Sequence, residues 1–424
     1  MDNVTHTLIG VLAGEAIGTA TKSSYRGLLP SERRNVLVTT IAIGSNLPDL
    51  DFLYSTVTGS KLDYLLHHRG HTHTFVVALV IGVLLWAACE LWARRRKLSL
   101  ARIDRLSILG ASLLAPTLHI LMDATNNYGV HPWWPFDNRW LYGDSVFIVE
   151  PLLWASIAPI WFLLRTKVAR VVVALLWFIS IGLVFITGMV PMPLAFAYPA
   201  LLAALLYAGS RLRPSVAIAM GIAVWSSVTI GFMLQSAAVG RRVDTLAARQ
   251  FPQARTLDRV LTPMPMNPIC WELILIQTES DALVLRRAMF SMAPQWLPAA
   301  SCRGRGLHGP VTAPLEPIAA PSTSVVQWHG EVRSSLQALT SAWEQNCRVA
   351  AFMRFARAPW LARVGDSDVI GDLRYDRQAK LGFAEIEIES DAEACPHWVP
   401  PWVPPLQVLS GLHAPRTSAD RSSE

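Results

Sequence analysis

Long apolar runs crowd the first 240 residues and then stop, and this break limits what the chain can fold into. About eight stretches stand out: Val4–Ala20, Val36–Tyr54, Thr74–Ala93, Leu106–Met122, Val146–Leu164, Ala169–Val190, Leu194–Gly209 and Ser215–Ala238. Roughly 20 apolar residues in a helix cross a bilayer, where the backbone must satisfy its own hydrogen bonds. Thr74–Ala93, Ala169–Val190 and Ser215–Ala238 meet that length. The first two stretches are short and rich in Gly and Ala, and the fourth contains Pro116. These three read either as spans or as buried helices and half-spans packed inside the bundle. Charged residues make up 16% of the 424, against about 25% in a soluble globule. The expected fold class is mainly α: a multi-pass transmembrane helical bundle over residues 1–240, then a C-terminal soluble α+β domain over 241–424 with a disordered tail.

Basic residues fall in alternate loops. Lys22, Arg26, Arg33 and Arg34 form the first group, Arg94, Arg95, Arg96 and Lys97 the second, Arg165, Lys167 and Arg170 the third, and Arg211 and Arg213 the fourth. The positive-inside rule makes these loops cytoplasmic and leaves the N-terminus, 46–73, 123–146 and the turn at 191–193 outside. The C-terminal domain is then periplasmic, in a bacterial inner-membrane protein. Arg241 and Arg242 sit on the wrong side for the rule, although a long domain translocates despite such charges. No basic region precedes the first apolar run and Glu15 interrupts it, so it does not read as a cleavable signal. Membrane orientation accounts for the net charge of +6, and no nucleic-acid partner is expected.

In the C-terminal part, Trp271–Thr278, Ala282–Phe290 and Phe383–Ser390 read as strands, while Glu331–Ala358 has helical spacing that ends before Pro359. Ala299–Ser324 is a loop rich in Pro, Gly and Ser. Four of the five cysteines lie here: Cys270, Cys302, Cys347 and Cys395. They suit either up to two disulfides in an oxidising compartment or ordinary buried thiols. Cys89, inside an apolar span, reads as a packing residue.

His and Asp residues gather at the ends of the first four apolar stretches, on the side the charge rule makes external. Asp2 and His6 lead into the first, and NLPDLD with Asp49 and Asp51 lies at the end of the second. HHRGHTH, with His67, His68, His71 and His73, precedes the third, and HILMD with His119 and Asp123 closes the fourth. A His and an Asp four residues apart share a helix face, and both are metal-ligand types. Ionisable groups in apolar helices are costly unless satisfied, so a metal site competes with a set of hydrogen-bonded helix caps. The aromatic stretch Gly129–Asp144 reads as an interfacial belt or as a lid over a lipid-like substrate. Glu150 is either a further carboxylate ligand or a helix N-terminal charge.

As an ordered set, Thr5-His6, Pro48-Asp49-Leu50-Asp51, His68-Arg69-Gly70-His71-Thr72-His73, His119 to Asp123 with Gly129, and Trp134-Pro135-Phe136 resemble the bacterial membrane-bound, metal-dependent hydrolase family, the LexA-binding, inner-membrane-associated type. The resemblance covers about residues 1–152. The order His6, Asp49, His73, His119, Asp123 is also similar to the ligand order of zinc-dependent phospholipases C and related single-strand nucleases, in which the N-terminal amine helps to bind a metal. That likeness implies a first metal on Asp49, His73, His119 and Asp123 and a second served by His6 and Asp123. The pattern departs at Glu150, where the family has Asp, and only His131 is available for a third metal.

The implied metal ligands are thus His6, Asp49, His68, His73, His119 and Asp123, holding one or two divalent ions, zinc first. Zinc lowers the pKa of a bound water to about 7. Asp51 is then expected to orient or deprotonate the water, and Arg69 to hold an anionic phosphate. The expected function is hydrolysis of a phosphoester or phospholipid-like amphiphile at the outer face of the inner membrane, with membrane lipid as partner. The alternative is a non-catalytic metal-binding membrane protein: a transporter, sensor or scaffold. Conduction requires ionisable residues through the middle of the spans, whereas here they gather at one end. No HExxH occurs, which disfavours a zinc protease.

Overall fold

A computed structural model describes residues 1–21, 27–303, 311–388 and 394–406. Lys22, Arg26, the middle of the Ala299–Ser324 loop and the polar tail after residue 406 lie outside the described residues. The N-terminal part is a bundle of α1 (Asn3–Ala20), α2 (Pro30–Gly44), α3 (Phe52–Thr58), α4 (Lys61–His67), α5 (Phe75–Arg95), α6 (Arg102–Asp123), α7 (Pro151–Ala155), α8 (Lys167–Ile186), α9 (Met192–Arg211) and α10 (Pro214–Gln250). Among the described residues, six segments are long and apolar enough to cross a membrane: Pro30–Thr58, α5, α6, α8, α9 and α10.

The other two traverses run inside the bundle. Gly10, Gly14 and Gly18 put a stripe of small residues on α1, and a Cβ at Gly14 would lie 2.5 Å from Val38 Cα. This lets the α1 and α2 backbones approach closely, as small-residue stripes do in membrane bundles. Val146–Leu164 is not one helix. It is α7 followed by a 3-10 turn at Ala158–Leu163, because Pro159 has no N–H to give a continuing helix. Irregular backbone survives there because it is enclosed by protein, with Ala155, Ala158 and Ile160 fully buried.

The two ends of the bundle differ in chemistry. At one end Arg33 pairs with Asp104, Arg34 with Glu15, and Arg165 reaches Ser31 and Asn35. The other end carries the His and Asp motifs and meets the C-terminal half.

That half holds an antiparallel sheet in the order β1 (Arg255–Met264), β2 (Asn267–Glu279), β3 (Ala282–Ser291), β4 (Val326–Ser335), then α11 (Leu336–Gln345), α12 (Cys347–Phe352) and a second sheet of β5 (Pro359–Val364), β6 (Ser367–Asp372) and β7 (Glu385–Glu387). Both faces of the first sheet are covered. Trp271, Leu273 and Leu275 pack in one core with Phe232, Val239 and Val243 of α10, while Ile274 and Ile276 pack with α11, α12 and Leu62, Leu65 and Leu66 of α4. Two-sided burial explains why β2 and β3 read as near-continuous apolar runs.

The strands expected at 271–278 and 282–290 lie within β2 and β3. The expected strand at 383–390 is shorter, with β7 at Glu385–Glu387 and residues 389–390 outside the described ones. The helix expected at 331–358 is corrected. Its first five residues extend β4, and the remainder splits because the Asn346 side chain accepts from the N–H groups of Arg348 and Val349 and starts α12 anew. The division placed at 240/241 falls within α10, which runs unbroken to Gln250. Both disulfides form, Cys270–Cys302 and Cys347–Cys395, and Cys89 is free.

Candidate metal centre

Four helix ends deliver the site. Asp2 caps α1 and sets His6 one turn in. Pro48 opens a 3-10 turn after α2 that carries Asp49 and Asp51. The HRGHTH loop holds Arg69 at φ 59, a left-handed conformation that costs energy for a side-chain-bearing residue. It is held by Arg69 N–H donating to Asp51 Oδ2 at 2.9 Å and by the guanidinium, whose Nη1 donates to Asn126 Oδ1 at 2.8 Å. His119 and Asp123 form the last turn of α6.

Asp49, His73, His119 and Asp123 converge, each offering one donor atom within 4.8 Å of all the others. His73 Nε2 and His119 Nε2 are 2.9 Å apart. His73 Nε2 lies 3.4 Å from Asp49 Oδ1 and 3.3 Å from Asp123 Oδ2, and His119 Nε2 lies 3.4 and 3.5 Å from the same two oxygens. Four donors about 2.1 Å from a tetrahedral zinc stand about 3.4 Å from one another. The donor set and its spacing fit that group.

The tautomers agree with this reading. His119 Nδ1 faces the Ser45 carbonyl at 2.6 Å, and a carbonyl only accepts, so Nδ1 carries the hydrogen. Thr72 Oγ1 donates to Asp51 Oδ2 at 2.9 Å, which leaves its lone pair for His73 Nδ1–H at 3.0 Å. Both Nε2 lone pairs therefore point into the space shared by two carboxylates. Such an arrangement repels unless a proton or a cation lies between the nitrogens. His73, His119 and Asp123 are fully buried, so water does not relieve it.

Around Asp123, Arg69 Nε stands 3.0 Å from Oδ2. His6 Nε2 stands 3.2 Å from Oδ1, and the Met1 amine contacts the same oxygen. Burial, with Arg69 next, pushes the pKa of that amine below its ordinary value. The His6 ring stacks on His119 with centroids 3.7 Å apart. On the other side Asp51 Oδ1 accepts from His68 Nδ1 at 3.0 Å, and Asp49, Asp51 and His68 make a second donor group that shares Asp49.

Every metal ligand expected from the sequence thus lies in or against one cluster. His6 and His68 flank it, and the other four form it. Asp51 stands behind His73 with both oxygens engaged. Arg69 is buried, with its guanidinium turned to Asp123 and Asn126. Sequence reasoning read Thr72 only as part of the HRGHTH motif and gave it no role, and it passed over Asn126, whose only signal is its position three residues after Asp123. It also passed over the Ser45 carbonyl, which no side-chain pattern reveals. Glu150 accepts from the N–H groups of Leu152 and Met266 and takes no part in the cluster. His131 is stacked on Trp402 at 3.7 Å with Nδ1 directed at the Arg69 carbonyl, so it too stands apart. Burial pushes the His131 pKa down to about 3 and keeps the ring neutral. In the aromatic loop Trp133 and Phe136 are exposed, while Trp134 packs edge-on against His71 and Trp140 Nε1 donates to the Arg354 carbonyl.

Residues 1–194, which include every residue of the cluster, match the model of the family described as YdjM inner membrane protein. The uncharacterized protein YfhP of Bacillus subtilis (strain 168) is 30% identical over 156 residues, 37% of this chain and 44% of that protein. The chain thus covers less than half the length of that relative. No solved structure matches the chain. Together with the six segments of spanning length among the described residues, the family match places the chain in a membrane.

Proposed function

We propose that the protein is a membrane-bound, metal-dependent hydrolase acting on a phosphoester borne by an amphiphile at the outer face of the inner membrane. The observation that carries the reading is the pair of Nε2 lone pairs on His73 and His119, fixed 2.9 Å apart and flanked by Asp49 and Asp123. These four residues would hold the first divalent ion, zinc being the best match to two imidazoles and two carboxylates. His6 Nε2 and Asp123 Oδ1 are the donors left for a second. A bound ion of this kind supplies Lewis acidity and makes nearby water acidic enough to react at neutral pH.

The remaining roles follow from the protein's own groups. Asp51 holds the His73 and His68 rings in their tautomers, which supports a positioning role beside the expected one of orienting or deprotonating the water. His68 has a side chain 16% exposed and, backed by Asp51, stands where a proton can be taken up or delivered. Arg69 offsets the charge of Asp123 and so keeps three neighbouring carboxylates compatible. The outward orientation is supported by the separation of basic residues from the ligand end and by two disulfides in the half that packs there. Nothing in the site calls on the LexA link of the resemblance.

The test is metal content by mass spectrometry on detergent-purified protein, followed by hydrolysis of a panel of phosphoesters and phospholipids with zinc, manganese or magnesium. Bound metal with hydrolysis of at least one substrate is expected. Bound metal with no hydrolysis across the panel would favour the non-catalytic metal-binding protein, and protein that binds no metal would end both readings.

A further inference from the structure

The cluster is unevenly enclosed: His73, His119 and Asp123 are fully buried, while Asp49 and His68 keep some exposure. Toward the C-terminal half it is roofed. Trp402 is fully buried, donates from Nε1 to the Leu66 carbonyl at 2.9 Å, and lies over His131 and against Gly70. The most exposed side chains of the cluster are His68 at 16% and Asp49 at 13%, with Asp51 at 5%, and Asp49 Oδ2 accepts from the exposed Asn3. His68 and Asp49 lie on the side from which α3 departs.

No residue of α3 is buried. Leu50, Phe52, Leu53 and Val57 are all exposed, Val57 at 86%, and Leu47–Ser60 contains no Lys or Arg. The only acids in that segment before Ser60, Asp49 and Asp51, are turned into the site. A seven-residue helix that exposes Phe52, Leu53 and Val57, with no charge beside its exposed Thr56 and Thr58, is poorly suited to water.

Its depth is set by the helices that lead to it. The 15 residues of α2 rise about 22 Å and the 22 of α6 about 33 Å from the basic end, so the cluster lies near the far boundary of a hydrocarbon layer about 30 Å thick. Ile43, near the end of α2, is exposed as well. Across the site, exposed Trp133 packs on Phe75 at the start of α5, whose Leu79 and Val80 are also exposed.

We propose that α3 lies in the lipid–water boundary and that the metal cluster opens sideways onto the bilayer between α3 and the start of α1, so that the molecule reaching Asp49 and His68 is a membrane phospholipid presenting its head group. The lipid contact stands on exposure and depth alone. The phospholipid's role as substrate rests on the hydrolase reading above.

The contact is tested by Val57→Cys labelled with an environment-sensitive NBD fluorophore, in a Cys89→Ser background reconstituted into phosphatidylethanolamine and phosphatidylglycerol vesicles. Arg363→Cys, on the exposed edge of the second sheet, is the aqueous control. The label at 57 is expected to emit at shorter wavelength, to be quenched by lipid spin-labelled at acyl carbon 5, and to resist iodide. Iodide quenching equal to that at 363 would overturn the proposal. Resistance to both quenchers would also overturn it, since protein would then cover α3.

The substrate part is tested by comparing vesicle-borne phospholipid with p-nitrophenyl phosphate. Leu53→Glu with Val57→Glu should lower phospholipid turnover by about tenfold or more at unchanged metal content and leave the soluble ester unaffected. An equal fall for both substrates, or no fall, would overturn it. If neither substrate is hydrolysed by metal-loaded protein, the hydrolase reading fails, and the fluorescence result still decides the lipid-facing opening.

Discussion

Asp51 Oδ2 stands 3.4 Å behind His73 Nδ1, on the edge of the ring opposite the donor cluster. Thr72 and the Arg69 N–H share that oxygen, and His68 takes the other. This is the carboxylate–histidine relay that fixes a ligand's tautomer and raises its basicity. Asp51→Asn keeps the shape but can present an amide N–H to Nδ1, which favours the wrong tautomer. Zinc affinity is expected to fall by roughly 10–100-fold, with the protein still folded. Competition with a fluorescent chelator measures this. An unchanged zinc affinity would show that Asp51 does not position His73.

His119 and Asp123 each supply a donor from the last turn of α6. His119→Ala and Asp123→Ala are expected to leave the first site with three donors and to remove its tightly held ion. The metal-to-protein ratio after dialysis against a weak chelator reads this directly. Retention of full metal content by either variant in a monodisperse, helical preparation would reduce that residue to a structural cap.

His131 gives the fold a pH dependence of its own. Burial holds its pKa near 3 in the folded protein, against about 6.5 when unfolded. The unfolded chain therefore binds the extra proton first, and stability from this group is lost as pH falls from 6.5 toward 3, by about 1.4 kcal/mol per unit within the window. Thermal melts in detergent from pH 7.5 to 5 should shift downward. The shift should be smaller in His131→Gln, and an equal shift in both proteins would show that other groups dominate.

The α1–α2 contact depends on the absence of a side chain at Gly14. Gly14→Leu places its Cβ against the Val38 backbone, which cannot rotate away. A loss of about 1–3 kcal/mol is expected. Gly110→Leu, where a Cβ meets nothing within 4 Å, is the matched control. Comparable melting temperatures for the two variants would mean that the helices separate at little cost.

Much of this protein was already legible in its sequence. Apolar runs near 20 residues long force helices across a membrane, because unpaired backbone groups are too costly in hydrocarbon. Alternating basic loops assign the two ends, and the four motifs fall on one of them, so convergence of His6, Asp49, His73, His119 and Asp123 followed from helix direction alone. β2 and β3 were visible because β-branched and large apolar side chains cluster there without a break. Other features depended on contacts between residues distant in the chain. That Asp51 faces the back of His73, that the Ser45 carbonyl fixes His119, and that Trp402 closes the roof over His131 are all long-range pairings that leave no local periodicity. The strand at Glu331–Ser335 was hidden for the same reason: pairing with β3 outweighs its helical spacing. A sequence can place donors at the ends of helices, but the His119 tautomer and the Trp402 roof are set by contacts between residues more than 40 apart in the chain.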